Sequence, residues 1–146
     1  MGLVKAKIVA AEAGVNLDVH INPKELQVDK TVSWTAKNSH SEDPKQEFKE
    51  PQSSNLTVTL YFDTYEEKKD VYKKYIEDIE KTAKMVSGLG RPPMVIFQWG
   101  KFNFTGVTES VSQKYTMFLE DGTRVRCEVA FKMRSASAAE VSAKKS

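Results

Sequence analysis

Side chains able to carry out acid–base or metal chemistry are few in this sequence and far apart. His20 and His40 are the only histidines, and a metal site would need a third ligand such as Glu42 or Asp43 that their spacing does not enforce. Asp63 could act as a general acid or base, but such catalysis usually needs a second group and a perturbed pKa. The pattern favours Asp63 as the acceptor of a backbone hydrogen bond in the turn that follows it.

Signatures of nucleotide and nucleic-acid binding are also weak. The stretch Gly88-Leu89-Gly90 lacks the length and the Lys-Ser/Thr pair of a phosphate loop, and no serine has a nucleophile-elbow context. The aromatic residues from Phe97 to Phe104 have the alternate spacing of a core face, with only Lys101 among them. Net charge is +2, without the clustered basic excess of a nucleic-acid binder. We predict no enzymatic activity, no cofactor, no metal and no nucleic acid.

Composition predicts one soluble globular domain. The chain has 146 residues, of which 40% are hydrophobic and 29% are charged. Its single cysteine, Cys127, excludes an internal disulfide and is expected to be buried. Lys5 and Lys7 interrupt the N-terminal apolar residues, and no run approaches the ~20 apolar residues of a membrane-spanning helix. We expect synthesis in the cytoplasm and no membrane partner.

Alternation of apolar and polar side chains predicts that most of the chain is β-strand. The densest block covers residues 91–131 and contains Asp121-Gly122, a strong hairpin signal. Its last strand has one apolar and one charged face, as expected of an antiparallel sheet with a single buried side. Further strands are expected at 4–10, 17–21 and 56–62, with an extended arm over 26–36.

One helix and one long loop complete the predicted domain, which covers residues 1–134. An apolar stripe at 3.6-residue spacing predicts a helix over about 70–86, with Asp70 as its cap. Residues 37–54 are predicted to form a polar loop whose only large apolar side chain is Phe48. The loop could be an enzyme lid, an insertion without a role or a docking arm, and Phe48 favours docking. Residues 135–146 are predicted to be a flexible tail.

Extended edges and long polar segments point to association between copies. A strand-rich chain of this size has backbone groups at its sheet edges, and neighbouring copies can satisfy them by strand addition. The sequence therefore favours a homo-oligomeric ring or stack.

Four segments together resemble the tube proteins of contractile injection systems. They are INPKELQ at 21–27, KTVSWT at 30–35, LTVTLYFDTYEEKKDV at 56–71, and RPPMVIFQWGKFNFTGVTESVSQKYTMFLEDGTRVR at 91–126. The resemblance covers about Lys5 to Met133 and is closest to the N-terminal domain of the spike–tube adaptor of antifeeding-prophage-like and Photorhabdus-virulence-cassette-like particles.

The resemblance implies a mainly β (α+β) fold of the phage tail-tube kind, an antiparallel β-barrel or two packed sheets with one flanking α-helix. It also implies a hexameric ring in the baseplate, between the spike and the inner tube, that starts tube growth. Expected partners are further copies of the chain, the spike protein, inner tube proteins and other baseplate components. Assembly is expected in the cytoplasm, followed by incorporation into a phage-tail-like particle that could be released.

Site residues follow from the resemblance by position. The loop at 37–54 is expected to be an arm between rings or subunits. The expected subunit interface comprises Asn22, Pro23, Trp34, Phe48 and Asp63. The expected lumen-facing residues are Arg124, Arg126, Glu128 and Lys132.

One departure from the family and two alternatives stay open. Adaptor relatives often carry a C-terminal LysM-type module, whereas a Ser/Ala/Lys segment follows Met133 here, which implies a short variant or a neighbouring tube layer. A small β-barrel that binds an apolar ligand is the second hypothesis, although dense Phe, Trp and Val alternation argues for a filled interior. A hydrolase that uses Asp63 and His20 is the third.

Overall fold

The computed structural model describes residues 4–32 and 52–136, and all strands in these ranges belong to one antiparallel sheet. The strands are β1 (Lys7–Ala10), β2 (Val15–Asp18), β3 (Leu26–Val32), β4 (Gln52–Asp63), β5 (Val95–Trp99), β6 (Phe102–Phe118) and β7 (Arg124–Ser135). Their order across the 7-stranded sheet is β2-β1-β5-β6-β7-β4-β3. The prediction of a mainly β fold with one helix is confirmed. The described strands form one sheet that is not a closed barrel, because its end strands, β2 and β3, do not pair with each other.

One hydrophobic core contains apolar residues from both halves of the sheet, which indicates that the sheet curves around them. Period-two alternation buries Leu60 and Phe62 of β4, while the same pattern in β7 buries Phe131. These side chains share a cluster with Ile8 of β1 and Phe97 of β5, from the other half of the sheet. Such curvature is expected, since a sheet with one apolar face must cover that face.

The helix is shorter than its sequence pattern suggests. A π-helical turn, Tyr72–Ile76, leads into α1, Glu77–Lys81. The carboxylate of Asp70 accepts a hydrogen bond from the Tyr72 backbone N–H at 3.0 Å, close to the predicted cap. The predicted end near residue 86 is wrong because Thr82 is buried, and both its N–H and its hydroxyl donate to the Ile79 carbonyl. These bonds tighten the chain into a turn.

The two ends of the sheet have different surroundings. At one end, β2 has only four residues and α1 packs against it. The chain beyond β2 turns back to form a bridge between Ile21 and Tyr61 of β4. At the other end, β3 has seven residues and pairs only with β4 among the described residues.

A second open edge arises within β6. Residues from Phe102 to Gly106 pair with β5, whereas the strand pairs with β7 from Gly106 onward. From Thr108 to Phe118, the edge of β6 that faces away from β7 has no strand partner among residues 4–32 and 52–136. The part of the sheet ordered β6-β7-β4-β3 therefore has an open edge on each side, and we call it the four-strand wall.

Several predicted features lie outside the described ranges. Trp34, Phe48 and most of the 37–54 loop are among them, and so is nearly all of the predicted tail. Residues Gln52 to Ser54, assigned to that loop from the sequence, belong to β4.

Candidate assembly surface

The face of the four-strand wall that points away from the core is polar, and we call it the outer face. Strand pairing sets Thr57 of β4 opposite Lys132 of β7, and Lys132 opposite Ser110 of β6. Side chains of the outer face are Gln27, Asp29, Thr31, Asn55, Thr57, Thr59, Tyr61, Asp63, Ser110, Ser112, Lys114, Arg126, Glu128, Ala130, Lys132 and Arg134. Short hydroxyl side chains and charges of both signs alternate with the buried row, so this face suits contact with water.

Asp63 makes the turn contact that the sequence predicts. Its Oδ1 accepts a hydrogen bond from the Tyr65 backbone N–H at 2.8 Å, and its Oδ2 lies 3.0 Å from Nη2 of Arg126. The Tyr65 N–H and then the Arg126 guanidinium hold the pKa of Asp63 below its usual range. A carboxylate held ionised by two fixed donors is poorly suited to proton transfer near neutral pH.

The four predicted lumen residues do not share one environment. Arg126, Glu128 and Lys132 lie on the outer face of β7. Arg124 instead binds Asp70, with Nη2 at 2.9 Å from Oδ2, and its guanidinium carbon lies 4.8 Å from the centre of the Tyr72 ring. The β6–β7 register shifts beside this point, and such irregularities redirect side chains.

Asn22 and Pro23, predicted at the subunit edge, have contacts within the chain. The Asn22 side chain accepts from the Ala6 N–H at 3.0 Å and donates to the Val4 carbonyl at 2.9 Å. The Asn22 side chain thereby satisfies backbone groups of the N-terminal segment, as the backbone of a neighbouring strand would. Pro23 is buried.

A polar network between the helical segment and β6 was not expected from the sequence. The carboxylate of Glu80 accepts hydrogen bonds from the Tyr72 hydroxyl and from Nε2 of Gln113, the latter at 2.6 Å. These two donors lower the pKa of Glu80. The Tyr115 hydroxyl donates to Gln113 Oε1, and burial raises the pKa of Tyr115 to about 12. The one sequence signal was Gln113, a polar residue at a core-facing position of the strand.

A metal site is not found in the described part of the chain. No group of three or more His, Cys, Asp or Glu side chains is placed to hold a metal ion within residues 4–32 and 52–136, and His40 lies outside them. His20 Nδ1 lies 3.2 Å from the Tyr75 hydroxyl. His20 and Asp63 border the same surface groove, but Asp63 is bound to Arg126 and Tyr65 as described above. Among the described residues, no helix is long and apolar enough to cross a membrane.

Comparison with known proteins gives a family match and two structural similarities. The family model described as "Contractile injection system tube protein" matches residues 3–144. The tail of an empty gene transfer agent particle, computed with C6 symmetry, is similar at a TM-score of 0.48 and 10% identity over 92% of each chain. A chain of the native gene transfer agent virion is similar at a TM-score of 0.42 and 13% identity, again over 92% of each chain. No curated protein matches the sequence.

Proposed function

This chain belongs to the contractile injection system tube protein family, and from that premise we propose that its copies form a baseplate ring joining the spike to the inner tube. Family membership makes the chain a structural component of a phage-tail-like particle. The proposed ring is hexameric, starts tube growth and has no catalytic role. Its partners are further copies of the chain, the spike, the inner tube and other baseplate proteins.

The observation that carries the proposal is the pair of open edges on the four-strand wall. Every pairing within the wall is antiparallel, so β6 and β4 run one way while β7 and β3 run the other. When a second copy is placed beside the first by rotation about the ring axis, its β6 meets β3 of the first copy in antiparallel orientation. An even number of strands therefore allows the sheet to continue unchanged from copy to copy.

Exposed strand edges usually need protection against uncontrolled pairing. Here one edge consists of seven residues of β3 and the other of the β6 backbone beyond Gly106. Pairing between these edges in a closed ring leaves neither of them free. This supports a ring rather than a monomer.

The polar outer face supports the proposal that the four-strand wall lines a channel. In the proposed ring the apolar face of each wall is buried in its own subunit, so the polar face borders the lumen. Arg126, Glu128 and Lys132 are the proposed lumen residues, while Arg124 lies beside Asp70 and Tyr72. The proposed subunit contacts keep Asn22 and Pro23, together with Trp34, Phe48 and residues 37–51, whereas Asp63 lies on the outer face.

The alternative, a small barrel that binds an apolar ligand, has less support. Phe62, Phe97 and Phe131 occupy the interior and are at most 1% exposed. A groove of about 480 Å³ between β3 and β4 is lined mostly by polar residues, including Lys24, Glu25 and Thr57. Apolar ligands usually occupy apolar cavities instead.

Native mass spectrometry and particle composition test the proposal. We expect the purified protein to form closed rings, and particles to contain one ring of this chain rather than one per tube layer. Deletion of its gene should leave spikes without attached tubes. A strictly monomeric protein that is absent from sheath-and-tube particles would contradict the ring. A copy number that rises with tube length would contradict the adaptor position alone.

A further inference from the structure

We propose a specific register for the junction between copies, in which Asp29 of β3 lies opposite Lys114 of the neighbouring copy's β6. This inference rests on the proposed ring and adds the residues that align its subunits. In the same register Thr31 lies opposite Ser112, Val28 opposite Tyr115 and Lys30 opposite Gln113.

The directions of the side chains limit the choices. In β3 the odd-numbered residues, including Asp29 and Thr31, belong to the outer face. In the regular part of β6, from Ser110 to Tyr115, the even-numbered residues belong to it, because Ser112 and Lys114 pair with Ala130 and Glu128. A continuous sheet must join outer positions to outer positions, so only registers that differ by steps of two residues remain.

Chemical matching selects one of these registers. With Asp29 opposite Lys114, an acid meets a base on the outer face and two hydroxyl residues meet beside them. On the core-facing side, Val28 meets the aromatic ring of Tyr115. Opposite charges and aromatic–β-branched pairs are favourable cross-strand neighbours.

The neighbouring registers lose these matches. A shift of two residues in one direction sets Lys30 opposite Val111 and Val28 opposite Gln113. A shift in the other direction sets Thr31 opposite Lys114 and moves Asp29 to position 116, where the β6 register is irregular. Both alternatives leave Asp29 and Lys114 without each other.

In the isolated subunit, Asp29, Lys114 and Val28 are accessible to a second copy. Asp29 and Lys114 are exposed, and neither forms an ion pair with any residue in 4–32 or 52–136. The Asp29 carboxylate accepts only from the neutral Gln27 amide, at 3.1 Å, within the same ranges. Val28 is 36% exposed at the open edge. A second copy supplies the missing cation and apolar cover in one contact.

Cysteine cross-linking tests the register with a pair of substitutions that leaves Asp29 and Lys114 unaltered. Thr31→Cys is combined with Ser112→Cys, and two matched controls combine it with Ser110→Cys or Lys114→Cys. Directly opposite Cβ atoms lie ~5 Å apart and diagonal ones ~7 Å, so only opposite cysteines approach disulfide geometry. The native Cys127 is 1% exposed, and oxidised wild type serves as the background.

We expect Thr31→Cys/Ser112→Cys to give a ladder of linked copies, with about ten-fold more product than either control. Native mass spectrometry before oxidation establishes that each variant assembles. Preferential linkage in a control, or no linkage in assembled Thr31→Cys/Ser112→Cys, overturns the register but leaves the ring intact. Failure of the wild type to assemble overturns the ring and the register together.

Charge reversal gives an independent measurement. Asp29→Lys sets two cations opposite each other and should weaken association about three-fold at each junction. Adding Lys114→Glu should restore part of that loss, and only part, because the new carboxylate also faces Glu128 of its own chain. Equal assembly of wild type and Asp29→Lys would overturn the pairing.

Discussion

The β2 and β3 ends of the sheet differ in how they meet their surroundings. β2 is four residues long, α1 packs against it, and the chain beyond it returns to β4 at the Ile21–Tyr61 bridge. β3 is nearly twice as long and has a polar outer face, an exposed valine and no second strand partner among the described residues. A short strand with a helix against it discourages further pairing, whereas a long open strand invites it. The β2 end is thus covered by other parts of the described chain, whereas the β3 end leaves a strand edge available for the proposed second copy.

The largest expected effect on stability comes from comparing a substitution at the β2 end of the sheet with one at the β3 end. Ile79→Ala removes a fully buried side chain of α1 and should lower the free energy of unfolding by about 3 kcal/mol. Val28→Ala at the β3 edge is the matched variant and should lower it by only about 0.5 kcal/mol, while weakening assembly. Urea denaturation and native mass spectrometry measure the two quantities. Equal losses of stability would remove the distinction between a closed and an open end.

Gly106, where β6 exchanges β5 for β7, provides the second prediction. A Cβ atom added there would lie 1.9 Å from the Arg134 carbonyl oxygen and 2.9 Å from Ser135 Cα, so the β7 backbone must move. Gly106→Ala should cost about 2 kcal/mol of stability and should also disturb the open β6 edge. Ser110→Ala, on the outer face of the same strand, is the control and should be nearly neutral. An unchanged urea midpoint for Gly106→Ala would contradict the close approach.

The hydrogen bonds around Glu80 should contribute less to the free energy of unfolding than the close approach at Gly106 does. Their contribution should also depend on pH. Glu80→Gln weakens the bonds from Tyr72 and Gln113 and should cost about 1 kcal/mol at pH 7. The pKa of Glu80 is lowered in the folded protein. Its contribution is therefore fully present above the unfolded value, about 4.5, and declines as pH falls through the lower folded pKa. Urea midpoints from pH 7 to 3 should fall less steeply for Glu80→Gln, and parallel profiles would argue against the network.

The smallest expected effect belongs to the exposed Asp63–Arg126 pair. Asp63→Asn keeps an acceptor for the Tyr65 N–H and loses only the ion pair, which should cost about 0.5 kcal/mol. Asp63 also has a lowered folded pKa, so its contribution is present above the pKa of the unfolded chain, about 3.8, and is lost as pH falls through the folded pKa. Thermal unfolding at neutral pH measures the change. A loss near 3 kcal/mol would assign Asp63 a larger structural role than an exposed pair supports.

Several features of the site could be predicted from the sequence because they depend on near neighbours. The turn bond of Asp63 spans two residues. The charged and apolar faces of β7 follow from alternation alone. Arg124 shows where that rule stops, because its partner Asp70 is distant in sequence and the β6–β7 register shifts beside it.

By itself, the sequence determined the strand-rich composition, the one-sided faces of the strands and the family resemblance, since all three are properties of local patterns. Only the tertiary structure decided where the helix ends, because the Thr82 hydroxyl is buried between the Ile79 carbonyl and the distant Thr108 hydroxyl. It also decided that β6 changes partners at Gly106 and that β3 remains at an edge. Strand partners are chosen by long-range packing and backbone hydrogen bonding, so the open edges of β3 and β6 are apparent only in the folded chain.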